Sequence, residues 1–218
     1  MKNIINERLK IISAYILDNE KIIDIGCDHA LLDIYLSMKR ENLRIIASDI
    51  NINPLMKAKE NVLKYHMEDK IKLKQANGLA AIEKDINTVI ISGMGAISII
   101  NILKDINKYP NVSKLVLSPN NDFPLLRNEI SKLGFKIVKE EIVKEKNKYY
   151  LVCEFKKGTE AIDSFFGKLD LEKSINKEYF MYLYNRNSKI IEKIANNSLK
   201  KQKLQEENMN IKKKIKIV

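Results

Sequence analysis

The chain has 218 residues, 45% hydrophobic and 31% charged, with no Trp, 7 Gly and 4 Pro. That is enough apolar material for one full core with an appendage, and it excludes wholesale disorder and a pair of large domains. The formal charge is +11, carried mostly by Lys, and a Lys/Ile/Asn bias of this kind arises from an AT-rich genome as readily as from a polyanion-binding surface. No uninterrupted apolar run approaches the roughly 18 residues of a membrane span, so no membrane partner is expected. The opening MKNIINERLKIISAYI carries charges within its apolar pattern and lacks a small-residue cleavage site, which predicts a helix and not a signal peptide. Cys27 and Cys153 stand far apart and make neither a disulfide framework nor a zinc cluster. The expectation is a cytoplasmic protein with no metal.

Short apolar runs alternate with amphipathic stretches up to about residue 156. Helical spacing over residues 4–17 is followed by a strand at Lys21–Ile25, a helix at Leu31–Met38 and a strand at Leu43–Ser48. Next come a helix at Asn53–His66, with Pro54 in its first turn, and strands at Ile71–Gln75 and Thr88–Ser92. A helix at Ile97–Ile106, a strand at Lys114–Ser118 and a helix at about Asp122–Leu133 follow, with Gly134 where a C-terminal cap belongs. Phe135–Lys144 and Tyr149–Phe155 are separated only by Glu145–Lys148 and predict a hairpin. Five β-α units ending in a hairpin predict an α/β Rossmann-like fold, its parallel sheet closed by an antiparallel edge pair.

From Gly158 onward strand signals cease. Two helices around the polar turn Asn196-Asn197-Ser198 are predicted, an αα-hairpin or coiled coil. Residues 157–218 carry +6 and the much longer segment 1–156 only +5. The chain is therefore expected to divide into a nucleoside-binding domain, 1–156, and a basic helical domain, 157–218.

In a doubly wound sheet ligands bind beyond the carboxyl ends of the strands. The first strand ends in Asp24-Ile25-Gly26-Cys27-Asp28-His29-Ala30. Gly26 allows close backbone approach, but Asp28 stands where a dinucleotide fold has its second glycine, and its charge repels a pyrophosphate. The loop disfavours NAD and ATP and suits a cofactor that is cationic or neutral at that end, such as S-adenosylmethionine; alone, it is equally a tight structural turn. The second strand ends in Asp49-Ile50, where an acid is the expected acceptor for ribose hydroxyls, or else an N-cap. Asn77-Gly78 ends the third strand, an amide able to pair with adenine or an ordinary Asn-Gly turn. Ser92-Gly93-Met94-Gly95 ends the fourth and leaves bare backbone for a ligand. Ser118-Pro119-Asn120 ends the fifth, with Asn120 a candidate substrate amide.

These stretches resemble a known family. DIGCDHALL, SDININPLMKAKENV, ANGLAAI, ISGMGA and LSPNNDFPLLRNEISKLGF, with RLKIISAYI before them and KYYLVCEF after, are similar to the bacterial tRNA adenine-N1 methyltransferases that act at position 22. The likeness runs in order over residues 5–156 and more loosely through FFGKL and FMYLYNR in the tail. It departs from the family at Leu31, where an aromatic is common, at Asn77, where an Asp is frequent, and at Ser118, where Gln is frequent. The resemblance implies a class I methyltransferase fold, S-adenosylmethionine as cofactor, tRNA as partner and a C-terminal coiled coil that helps hold it. Asp24, Gly26, Asp28, Asp49, Ile50, Asn77, Gly78 and Gly93 are then the cofactor-binding candidates. Asp28 and His29 are the catalytic candidates, Asp28 either stabilising the cationic product base or holding the cofactor's amino group. Arg8 and Asn120 are the candidate RNA contacts, and a monomer is expected. An N/D-P-P-Y box is absent, which fits attack by a ring nitrogen that already owns its lone pair.

Overall fold

The computed structural model describes residues 4–195 and 198–215. The chain divides into two compact units, Met1–Lys168 and Leu169–Val218. In chain order the first unit holds α1 (Glu7–Ala14), β1 (Lys21–Ile25), α2 (Leu31–Lys39), β2 (Arg44–Asp49), α3 (Ile52–Lys64), β3 (Ile71–Gln75), β4 (Thr88–Ser92), α4 (Ala96–Leu103), β5 (Lys114–Ser118), α5 (Phe123–Lys132), β6 (Phe135–Glu145) and β7 (Lys148–Lys157). The seven strands form one sheet in the order β3-β2-β1-β4-β5-β7-β6. The first five are parallel, and β7 runs antiparallel to both β5 and β6.

Both faces of the sheet are covered. Ile22, Ile45, Ala47, Ile90 and Val116 pack in one cluster with Ile12 of α1, Leu32 and Leu36 of α2 and Leu55, Ala58 and Val62 of α3. The alternating set Ile23, Ile46, Val89, Ile91, Leu115 and Leu117 points to the other face and is equally buried. Burial on both sides is why these strands are continuous Ile/Val/Leu runs without a polar stripe.

The first helix is shorter than its apolar period. Asn6 caps it, its Oδ1 accepting from Leu9 N at 2.9 Å, so Ile5 is buried from outside the helix, while Leu17 beyond the other end is exposed. The larger correction concerns the domain boundary, expected after residue 156. The sheet unit continues through Lys168 because residues 164–168 bind buried side chains of α5 and of the edge strand β6. Arg127 Nη1 donates to the carbonyls of Ser164 and Phe165 at 2.9 and 2.8 Å, and Lys168 N donates to Glu140 Oε1.

The second unit carries α6 (Ser174–Ile191) and α7 (Leu199–Ile215). The two helices are joined by polar pairs: Asn187 Nδ2 to Glu207 Oε2 at 3.0 Å, and Asn208 Nδ2 to Ser188 Oγ at 3.0 Å and to the Tyr184 carbonyl at 3.2 Å. Of the predicted turn Asn196-Asn197-Ser198, the two asparagines lie outside the described residues. Among the described residues no helix is long and apolar enough to cross a membrane.

Candidate nucleoside and methyl-transfer site

The strand order reverses between β1 and β4, and the cavity sits at their carboxyl ends, as the topology requires. It has a volume of about 510 Å³. The turn after β1 builds its floor. The N–H groups of Gly26 and Cys27 both donate to the Ser48 carbonyl, at 2.8 and 3.0 Å, fastening this turn to the end of β2. Gly26, Asp28 and Ala30 all have positive φ (78°, 51° and 55°). Holding two non-glycine residues there costs backbone energy that the surrounding bonds must offset. Two of those bonds are Ala30 N to the Cys27 carbonyl at 2.9 Å and Asn61 Nδ2 of α3 to the His29 carbonyl at 2.9 Å.

Eight expected cofactor residues line this one cavity: Asp24, Gly26, Asp28, Asp49, Ile50, Asn77, Gly78 and Gly93. Their depths differ. Asp24 is buried, and its Oδ1 meets no hydrogen-bond partner among the described residues. Burial, with the charge of Asp49 second, pushes its carboxyl up to about 7. Asp49 Oδ1 accepts from Asn51 N at 2.9 Å. Asn77 is exposed, and its side chain makes no capping bond.

The two catalytic candidates sit together at the solvent side. Asp28 and His29 are both exposed, with His29 Nδ1 3.5 Å from Asp28 Oδ1. Cys27 is buried in the core, where desolvation and the charge of Asp33 push its thiol up; it is a packing residue and no nucleophile.

The two expected RNA contacts are placed differently. Arg8, expected as an RNA contact, has its side chain in the wall of the nucleoside pocket. Asn120 lies outside the lining. Its Nδ2 donates to the Gly93 carbonyl at 2.5 Å and its N–H to the Met94 carbonyl at 2.8 Å, so it holds the β4 loop in shape. The loop is held a second time by Asn121, whose Oδ1 accepts from Ala96 N at 3.1 Å.

Two residues of this region escaped the sequence reading. Met94 arches over the floor so closely that a Cβ built on Gly26 would stand 2.2 Å from its Cε. Asp33, in the first turn of α2, is fully buried, and its carboxyl meets no donor on another of the described residues. Its signal was present in the sequence, a lone acid inside the apolar run LLDIYL.

The lining suits an adenosine that carries positive charge. A backbone bare at Gly26 and Gly93, both at φ 78°, lets a ligand lie against the main chain, and Asp24, Asp28 and Asp49 repel anions and attract a cation. Among the described residues no group of three or more His, Cys, Asp or Glu is arranged to hold a metal.

Comparison with known proteins agrees with this geometry. The family model described as a methyltransferase domain matches residues 5–153. The tRNA (adenine(22)-N(1))-methyltransferase of Bacillus subtilis is 31% identical over 150 residues, 68% of this chain and 63% of that protein. The match thus spans less than two thirds of that curated relative. A Streptococcus agalactiae protein described as belonging to the NADB-Rossmann superfamily is 31% identical, with a TM-score of 0.89 and 97% of each chain covered. The structure of Mycoplasma capricolum TrmK in complex with S-adenosyl-homocysteine is 28% identical, with a TM-score of 0.86 over 98% of this chain and 99% of that one.

Proposed function

The chain belongs to the methyltransferase-domain family, and on that premise we propose that it transfers a methyl group from S-adenosylmethionine to N1 of an adenine, position 22, in tRNA. The observation that carries the reading is the convergence of Asp24, Gly26, Asp49, Asn77 and Gly93 from four successive strand ends on one cavity. The activity of the Bacillus subtilis relative supports the choice of tRNA and of the adenine.

In this reading Asn77 pairs with the cofactor's adenine, Asp49 accepts from its ribose hydroxyls, and Gly26 and Gly93 let it lie on the main chain. Bound there, S-adenosylmethionine supplies an electrophilic methyl on a sulfonium. The protein's work is to orient the target base and exclude water. N1 of adenine attacks with its own lone pair, so no base is needed to create the nucleophile. The product base is cationic, and the Asp28 carboxylate at the mouth stabilises that charge or takes a proton from the exocyclic amine. His29, 3.5 Å away, orients that carboxylate or the base. A stacked target base must first be turned out of the RNA.

We assign the C-terminal helices, as a coiled coil, to holding the tRNA backbone. Lys200, Lys203, Lys212 and Lys213 of α7 are exposed and available to phosphates. The protein acts as a monomer, in the cytoplasm where its substrate is found. Incubation with methyl-labelled cofactor and tRNA, then nuclease digestion and mass spectrometry of the nucleosides, tests the proposal. It requires 1-methyladenosine, and label on another nucleoside or on none overturns it.

A further inference from the structure

Arg8 presents an unanswered binding group. Its backbone N–H donates to Glu145 Oε1 at 2.8 Å, and Asn6 Nδ2 donates to Glu145 Oε2 at 3.2 Å, so that carboxylate serves the start of α1 and not the guanidinium. The guanidinium instead lies on the face of Tyr150, with Cζ 4.8 Å from the ring centroid. Its tips approach the β4 loop, where a Cβ on Gly93 would stand 3.7 Å from Nη1 and 3.8 Å from Nη2. Nε and Nη1 are shut off from water and meet no acceptor among the described residues. A buried donor left unpaired destabilises the fold, the more so when it is charged. Two of them on one permanently charged group, in the wall of a cavity, call for an acceptor that arrives with a ligand.

The sheet order identifies which end of the ligand brings it. Along β3-β2-β1-β4 the strand ends present Asn77, Asp49, Gly26 and Gly93 in turn. At about 4.8 Å per strand the row spans about 14 Å, comparable with an extended S-adenosylmethionine. With adenine at Asn77 and ribose at Asp49, as proposed above, the amino-acid end arrives at Gly93, beneath Arg8. That end carries one ammonium and one carboxylate. The acids of the floor suit the ammonium, and the guanidinium fork suits the carboxylate, which it can grip with two parallel hydrogen bonds.

We infer that Arg8 binds the α-carboxylate of the cofactor, held in plane by Tyr150, and makes the pocket select nucleosides that carry an intact amino acid. This rests on the cofactor reading above and moves Arg8 from the RNA to the cofactor.

Calorimetry on the full chain tests it with two probes, S-adenosylhomocysteine and its decarboxylated analogue. The unmodified protein should bind the carboxylate-bearing probe about 10- to 100-fold more tightly. Arg8→Met should bring the two within about threefold of each other, by weakening S-adenosylhomocysteine and leaving the analogue alone. Arg8→Lys, which keeps charge and bulk but not the fork, should recover part of the preference and covers the case in which the Met variant does not fold. An equal loss for both probes would make Arg8 merely structural. Unchanged nucleoside binding with weakened tRNA binding would return Arg8 to an RNA phosphate. Either result overturns the assignment while the cofactor site stands. Failure of the unmodified protein to bind either nucleoside overturns the cofactor reading itself, and this assignment with it.

Discussion

Gly26 and Met94 are in direct apposition, the thioether's methyl occupying the space that a Cβ at position 26 would need, 2.2 Å away. The pair links the β1 turn to the β4 loop across the cavity floor. Gly26→Ala meets two penalties. Its φ of 78° disfavours an L side chain by about 1 kcal/mol, and Met94 must swing into the space assigned to the cofactor. Stability should fall by about 1 kcal/mol and S-adenosylhomocysteine affinity by about tenfold or more. Adding Met94→Ala should recover affinity in part and leave the backbone penalty in place. Denaturant melts and calorimetry check both, and a Gly26→Ala protein with unchanged affinity refutes the close approach.

The acid on the floor predicts a pH dependence. Burial and the neighbouring Asp49 push Asp24 up to about 7, so without ligand it is largely protonated in mildly acidic solution. A cation prefers the ionised form. Affinity for S-adenosylmethionine should therefore rise with pH from about 6 to 8 and level off above, with a proton released on binding below pH 7. Adenosine, which is neutral, should show little of this slope. Asp49→Asn removes one of the two upward pushes and should move the rise to lower pH. Titrations in buffers of different ionisation enthalpy measure the proton directly. A flat profile for both ligands would dismiss Asp24 as the group that meets the cation.

Much of this was legible in the sequence, for identifiable reasons. Lys21–Ile25, Ile71–Gln75, Thr88–Ser92 and Lys114–Ser118 are strands over the residues predicted, three of them because they are short runs rich in Ile, Val and Leu, and Ile71–Gln75 because Ile71 and Leu73 alternate with lysines. The acids and glycines of the cavity were legible because a parallel sheet brings its strand ends together whatever lies between them. The place of Arg8 in the pocket wall was not legible because it depends on how α1 packs against β5, β6 and β7, a contact that no local pattern encodes. The bonds of Asn120 to Gly93 and Met94 were not legible because they join two different loops. The boundary at residue 156 was set too early because residues 158–168 have no helix or strand period. They are fixed by bonds to Arg127 and Glu140 instead.

Asp33 should make the stability of the fold fall as the pH rises above about 4. Its carboxyl is pushed well up, first by burial and then by the charge of Asp24. The native state therefore binds this proton more tightly than the unfolded chain does. The contribution is fully present below the unfolded value near 4 and is lost as pH rises, when the buried acid must ionise or hold its proton against solvent. Asp33→Asn keeps the shape and removes the titration. The variant should match the parent at pH 4 and exceed it by about 2 kcal/mol at pH 8. Urea melts at the two pH values check the sign, and an Asn variant less stable at pH 8 would mean that the carboxyl has a partner in solution.

The edge of the sheet yields a test of where the first unit ends. Arg127 is 1% exposed and pairs with Glu140, its Nη2 2.7 Å and its Nε 2.9 Å from Oε2. Residues 164–168 close over this pair, and Gly167 sits so near that a Cβ there would lie 2.1 Å from Glu140 Oε1 and 2.5 Å from Arg127 Nε. A chain cut after residue 156 loses the carbonyls of Ser164 and Phe165 and the N–H of Lys168, leaving a poorly solvated ion pair with bonds unmade. It should be less stable than a chain cut after residue 168 by about 2–3 kcal/mol, a drop of about 6–10 °C in melting temperature for this size. In the full chain Gly167→Ala should lower the melting temperature in the same direction, since its methyl can be seated only by parting the pair. Calorimetric melts of the two truncations and the variant decide the matter. Equal melting of 1–156 and 1–168 would show that the segment lies on the sheet without stabilising it.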